Sequence, residues 1–436
     1  MKSFIHFFIT DLLLFFTVIN GQQGYSNFDV VTNSSPYPSD IFIHTMGPGS
    51  HHMAIINPEL EIKWFIKSAH LGIDFKVNQN FLSYFDKNNQ NWILIDKFMV
   101  EKDTLNFLGA DTDYHDMKIL AGGGYILQAY DSIYVDMGNF VENGQWANVI
   151  FLRIQEFDQN HTLIFEWSSW DHLDISDYTN LSLSSNYISW MHGNSIEIDN
   201  SDNNLILSNR TSSEIIKIDR NTGAVIWFLG GPNNQFSFLN DTLNGFSMQH
   251  DVRLLENGNL TLFDNGNHRT PPMSRVSEYL LDLNNMTADL IWDFIHPNNY
   301  YGVAMGSAQR LPNQNTLINW GIISQIGNSD LGAVITEVDY NKNIVLEIIY
   351  PLNHNNYRVS KNNWAFLSNL IPGDTNQDNI LNIMDVNNII DYIQNNSRKD
   401  IFHLYRFDLN RDNFFDENDV NELVNKLLYN HSEVGY

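Results

Sequence analysis

Between residues 30 and 368, short runs of alternating apolar and polar positions are punctuated by Gly, Asn, Asp and Pro, with few stretches of helical period. A period of two between turn residues predicts short β-strands. Two pieces recur. One is a His- or Ser-led strand, a turn and a second strand: "YHDMKILAGGGYILQAYD" (114–131), "MHGNSIEIDNSDNNLILSNR" (191–210), "QHDVRLLENGNLTLFDNG" (249–266) and "GSAQRLPNQNTLINWG" (306–321). The other is a strand, a polar turn and a strand ending near Trp, as in "MAIINPELEIKWF", "IIKIDRNTGAVIWFL" and "EYLLDLNNMTADLIWDF". Copies of the first piece begin 77, 58 and 57 residues apart. Four strands in about 55 residues make one blade of a β-propeller. Residues 30 to 368 divided by six give about 56 residues per blade. An all-β, six-bladed propeller is the expected fold, with seven blades or a β-sandwich as alternatives. The recurring Trp positions predict packing between blades.

Within the third copy, "FSMQHDVRLLENGNLTLFDNGNHR" predicts strands at 251–255 and 260–263 joined by Glu256-Asn257-Gly258-Asn259. Asn-Gly supplies the positive φ angles of a tight hairpin. Antiparallel pairing brings the outer ends together, so His250 and Arg269 are expected to face one small volume.

The last 66 residues follow a different pattern. "GDTNQDNILNIMDVNNIIDYI" (373–393) and "FDLNRDNFFDENDVNELVNKLL" (407–428) repeat with an offset of 34 residues. Oxygen-bearing side chains occupy loop positions 1, 3, 5, 9 and 12: Asp374, Asn376, Asp378, Asn382 and Asp385, then Asp408, Asn410, Asp412, Asp416 and Asp419. Carbonyls of Ile380 and Phe414 would complete each shell. This spacing wraps a hard cation, and two calcium ions are the expected cofactors. Asn379 and Asn413 stand where such loops carry Gly; Asn tolerates the left-handed turn better than most residues. Apolar helices are expected at 386–393 and 420–428.

Composition narrows the partners. A net charge of −27 argues against nucleic acid and anionic membrane surfaces. The chain has 43% hydrophobic residues and 28 Phe, 19 Tyr and 10 Trp, enough for a large core. The apolar run from Phe4 to Ile19 after Lys2, with Gly21 beyond it, predicts a signal peptide over residues 1–22, an uncleaved anchor being the alternative. A secreted, periplasmic or cell-surface location follows, with no membrane span after cleavage. With no cysteine, disulfides contribute nothing there. The expected domains are the signal peptide, a propeller over 23–370 and a small helical calcium-binding unit over 371–436.

The motifs "MHGNSIEID", "QHDVRLLENGNLTLFDNG", Arg269, "SRVSEYLLD" and "GSAQRLPNQNTLINWG", in that order, resemble the arylsulfate sulfotransferase family that uses no nucleotide donor. The resemblance spans roughly residues 40 to 365. It implies a six-bladed propeller with its active site at one end of the central channel, moving a sulfuryl group from an aryl sulfate to a phenolic acceptor. It further implies that His192, His250 and Arg269 line the sulfuryl site and that another histidine carries the group covalently. The chemistry suits these residue types. A sulfuryl group in flight is flat and electron-poor, its oxygens need fixed donors or cations, and the departing phenolate needs a proton. The strand expected to hold the family's nucleophile, "INWGIISQIGN", has no histidine; His296 and His354 flank it at a distance. Either another residue takes the role, or transfer is direct, or activity has been lost. His115, at the same repeat position as His192 and His250, is the spare candidate, while Arg275 and Arg310 are expected to support blades. The chain lacks a Gly-x-x-x-x-Gly-Lys-Ser/Thr phosphate loop, so no nucleotide cofactor is expected.

Residues 373 to 428 resemble a dockerin module, which implies tethering to a cohesin-like or cell-surface scaffold. The competing functional classes are a non-catalytic secreted propeller that binds an anionic or aromatic ligand, and a polysaccharide-acting propeller enzyme held by its C-terminal module.

Overall fold

The computed structural model describes residues 17–19, 25–48, 50–68, 71–97, 99–323, 331–364, 371–376, 378, 380–395, 406–410 and 416–429. The chain forms a six-bladed β-propeller followed by a few short helices, so the fold is mostly β.

Four blades are continuous in sequence. Leu71–Asn78 to Glu101–Leu105 form the second blade, Lys118–Ile119 to Leu163–Ser168 the third, Gly193–Asp199 to Val225–Gly230 the fourth and His250–Leu254 to Thr287–Phe294 the fifth. The four copies of the first repeat are the two innermost strands of the third to sixth blades. Second strands such as Asn204–Asn209 and Leu260–Asp264 are buried throughout, because each blade is covered on both faces by its neighbours. Outer strands such as Thr287–Phe294 keep an interrupted burial pattern. Buried Trp residues join blades as expected. The indoles of Trp92, Trp167 and Trp292 donate to the carbonyls of Asp113, Gly223 and Tyr340, each in the following blade.

The remaining two blades close the ring from both ends of the chain. Asn355–Asn362 pairs with Asp40–Gly47 as the innermost strand of the first blade, with Ile43 opposite Val359. Phe28–Asn33 pairs with Ile344–Pro351 on the outer edge of the sixth, with Asp29 opposite Ile349. The sequence repeats do not reveal this exchange.

The hairpin strands are His250–Leu254, one residue earlier than expected, and Leu260–Asp264, one residue longer than expected. A bulge between His250 and Arg253 leaves Asp251 at φ 54°, which turns its side chain relative to a regular strand. The turn is tight, with Gly258 at φ 86° and its N–H donating to Leu255 at 2.9 Å.

The C-terminal helices are Ile383–Asn395 and Glu417–Tyr429, containing the expected segments. Val386, Ile389 and Leu423 bury between them with Phe407 and Leu409. Of the expected signal peptide, residues 1–22, only Thr17–Ile19 is described, as a strand paired with Phe28–Asn33; the rest lies outside the described residues. Among the described residues, no helix is long and apolar enough to cross a membrane.

Candidate active site

Side-chain oxygens stitch the innermost strands to one another around the channel. Asp116 accepts from Ile196 N–H, Ser195 from Val252, Asp251 from Ala308 and Ser307 from Val359, at 3.0 to 3.3 Å. The residues at the start of these strands therefore share one mouth of the channel. His115, His192 and His250 occupy that mouth. The rings of His115 and His192 lie 4.5 Å apart and edge to face. Tyr114 stacks on His115 at 4.2 Å, and Tyr130 and Tyr357 present ring edges to it at 6.2 and 5.9 Å.

Two imidazoles have assigned tautomers. Asn265 donates through Nδ2 to the carbonyls of Gly302 and Met305, so its Oδ1 faces His250 Nδ1 at 2.7 Å as an acceptor. His250 Nδ1 then carries the proton, and Nε2 keeps its lone pair. His115 Nδ1 lies 2.8 and 3.0 Å from the two oxygens of Asp113, which holds the proton on Nδ1, so that in the neutral ring Nε2 keeps the lone pair. Burial would raise the Asp113 carboxyl, but His115 and the donated hydrogen bonds outweigh it and hold it below its ordinary range. Burial, then His115 and Arg210, push His192 down to about 3. Burial also takes His250 well below its ordinary value, against the Asn265 hydrogen bond and with Arg210, His192 and His115 adding to the fall. Both rings are neutral at neutral pH. They can donate or accept one proton each but supply no fixed charge.

The cation at this mouth is Arg210, which sequence reading did not single out. Its backbone N–H donates to His192 O at 2.9 Å, fixing it beside the histidines. Arg269 is placed differently. Its guanidinium pairs with Asp264 and donates to the carbonyls of Met273 at 2.8 Å and Gly245 at 3.0 Å. Asp264 also binds Arg275 at 3.1 Å, and Arg275 continues to Asp241 at 2.7 Å. Arg269 and Arg275 thus brace the loop after the hairpin. Arg310 pairs with Glu278 at 2.6 Å and lies over Trp292. His296 is bound to Glu347 at 2.7 Å and His354 lies on an exposed turn, so neither joins the cluster. Asp113 was legible in principle, two residues before His115 in "DTDYHD". Arg210 and Tyr130 carried no local signal.

One residue farther along the same strands, the channel is crossed by ion pairs. Lys76 meets Asp74 at 2.5 Å and Asp116 at 2.7 Å; Arg253 meets Asp116 at 2.8 Å and Asp251 at 2.7 Å. Arg358 approaches Asp74 at 2.6 Å and Asp251 at 2.8 Å, off the line of its N–H bonds. Three carboxylates and three cations balance here. Beyond them a cavity of about 320 Å³ opens toward the other mouth, between Arg253, Arg310 and Asn362.

In the first C-terminal loop, buried Asp385 accepts from the N–H groups of Thr375, Asn376 and Asn382 at 2.8, 3.3 and 3.0 Å. Asp419 repeats this with Leu409, Asn410 and Asp416 at 2.7, 3.4 and 3.1 Å. The loops are therefore built alike. Asp412 and Phe414 lie outside the described residues. Among the described residues, no three His, Asp or Glu side chains converge as a metal cluster; the donor set expected for the first loop includes two amides and a carbonyl.

Residues 109–358 match the family model described as arylsulfotransferase (ASST). Solved structures with similar folds include a protein of unknown function from Bacteroides caccae, at 13% identity and TM-score 0.45, covering 74% of this chain and 99% of that one. The β-propeller domain of Cps50 (Swd1) from Myceliophteria thermophila is 11% identical, with TM-score 0.40, over 72% and 87%. A streptogramin B lyase is 10% identical, with TM-score 0.38, over 77% and 98%. A search of curated proteins finds no match.

Proposed function

Because the chain belongs to the arylsulfotransferase family, we propose that it moves a sulfuryl group from an aryl sulfate to a phenol in two steps, with His115 as the carrier. The observation that supports this most is the Asp113 carboxylate bound to His115 Nδ1. In the first step the Nε2 lone pair attacks sulfur, the N–S bond forms and the S–O bond to the aryl group breaks, releasing a phenolate that takes up a proton. The ring then carries sulfuryl on Nε2 and a proton on Nδ1, and this cationic form is the one Asp113 stabilises. In the second step an acceptor phenol, losing its proton to water, attacks the same sulfur; the new S–O bond forms as the N–S bond breaks, and the ring returns to its neutral form. The departing phenolate takes its proton from water, and neutral His192, its ring 4.5 Å away, would hydrogen-bond the phenolic oxygens. Tyr114, Tyr130 and Tyr357 offer flat apolar surface for an aryl group.

The assignment is tested by incubating purified protein with 4-nitrophenyl sulfate, with and without a phenol. Donor alone should give a burst of nitrophenol and a mass gain of one sulfuryl group. Reaction only when acceptor is present would show direct transfer. No product across a broad donor panel would favour a ligand-binding propeller.

The second part of the reading concerns the tail. Asp374, Asn376, Asp378, Asn382 and Asp385, and their counterparts in the second loop, would hold two calcium ions, and the module would attach a secreted or surface protein to a scaffold. The matching turns around Asp385 and Asp419 support it. Calorimetric titration of the full chain with calcium should show two sites. Asp374→Ala should remove one and Asp408→Ala the other. Undiminished binding in the double variant would assign calcium elsewhere.

A further inference from the structure

Arg210 stands out among the charged groups of the channel. Arg253, Arg269, Arg275, Arg310 and Arg358 each lie against one or more carboxylates. Among the described residues, no carboxylate lies within ion-pair distance of Arg210. Its one side-chain hydrogen bond is from Nη2 to the carbonyl of Val303 at 3.3 Å, and its Nε is buried with no acceptor. The chain has 51 acidic residues against 24 basic ones, so a carboxylate partner would be easy to supply. A partly buried guanidinium without one is costly unless a ligand completes it.

The surroundings fit an anion with an aromatic substituent. The Arg210 charge acts on His192 and His250, both neutral, so neither adds a competing fixed charge. It acts also on the buried Tyr301. Asn267 Nδ2 shares the Val303 carbonyl at 2.9 Å, tying that wall of the site in place.

We propose that Arg210, not Arg269, is the cation that binds the sulfate group, its free N–H groups donating to the non-bridging oxygens while sulfur faces the histidines. This rests on the sulfuryl-transfer reading for its substrate, but the anion site stands by itself. A guanidinium presents planar paired donors to such oxygens, which a lysine cannot reproduce.

The test measures binding apart from turnover. Full-length protein is titrated calorimetrically with sodium sulfate and with 4-nitrophenyl sulfate. Arg210→Ala and Arg210→Gln should weaken both by roughly 10- to 150-fold, the value of hydrogen bonds to a charged group, with Arg210→Lys recovering part. Arg269→Ala should leave both affinities near those of the unaltered protein while lowering its urea midpoint. Two Arg210 substitutions guard against a single misfolded variant, and circular dichroism checks each. Sulfate affinity unchanged in both, or lost in a folded Arg269→Ala, would overturn the assignment, as would no sulfate binding at all. Sulfate binding that depends on Arg210 in a protein with no transfer activity would uphold the anion site and remove the transferase reading instead.

Discussion

Replacing His115 with Ala should abolish sulfuryl transfer, lowering turnover of an aryl sulfate by about four orders of magnitude or more. That is the scale of loss when one member of a nucleophile and base unit is removed. The reason lies in what the other rings lack. His250 is oriented by the neutral amide of Asn265, and His192 has its backbone held by Asn209 but no carboxylate behind it. His115 alone of the three rests on an ionised group, so it alone can bear a positive charge during the reaction without an added penalty. Asp113→Asn, which keeps shape and removes charge, should lower turnover by about a hundred- to ten-thousand-fold, with little change in donor affinity. Rapid mixing with donor alone and mass spectrometry of the quenched protein provide the readout. A sulfurylated His115→Ala variant would move the nucleophile to His192 or His250. An active variant with no adduct would mean that the acceptor attacks the donor directly.

Arg358→Ala should cost about 3 to 5 kcal/mol of stability, the penalty for removing one partner of a buried charge network. It would leave Asp74 and Asp251 short of a partner within a group whose charges now balance. Burial opposes ionisation of Asp116 and Asp251, and the cations overcome it, holding both carboxyls below their ordinary range. Carboxyls depressed in this way add stability above their unfolded pKa near 3.9, and that stability fades as pH falls through the folded value. Without Arg358 the folded pKa values rise and the gain shrinks, so the deficit should be largest at neutral pH and narrow on acidification. Urea unfolding at pH 7 and at steps below about pH 3.9 measures this. Adding Asp251→Asn should restore part of the loss at pH 7. An Arg358→Ala protein with unchanged urea midpoint at pH 7 would show that water, and not the ion network, fills this part of the channel.

Much of the propeller was legible because blades are local. The Asn257-Gly258 turn, the strands beside it and the recurring Trp positions are each set by neighbouring residues. The exchange of strands at the ring's seam was not, since Asn355–Asn362 finds its partner in Asp40–Gly47, far away in sequence and without a repeat signature. The site shows the same division. The three histidines announced themselves through their shared repeat position. The arginine did not, because whether a guanidinium is free or already committed depends on which carboxylates folding brings to it. Arg269 sits at the expected place in the motif, yet Asp264, five residues earlier, occupies it. Arg210 follows an unremarkable strand and becomes prominent only when no acid arrives.

The way the ring is sealed sets the order in which the protein can be made. Until a ribosome has passed Asn362, Asp40–Gly47 is paired only with Ser50–Ile56, and its other edge has no strand to receive it. Five blades can form as their residues emerge, but the seam waits for nearly the whole propeller. Contacts of such long sequence separation form slowly, and an open strand edge in the meantime invites pairing with another nascent chain. A premature stop before residue 355 would therefore yield an adhesive product and not a slightly smaller propeller.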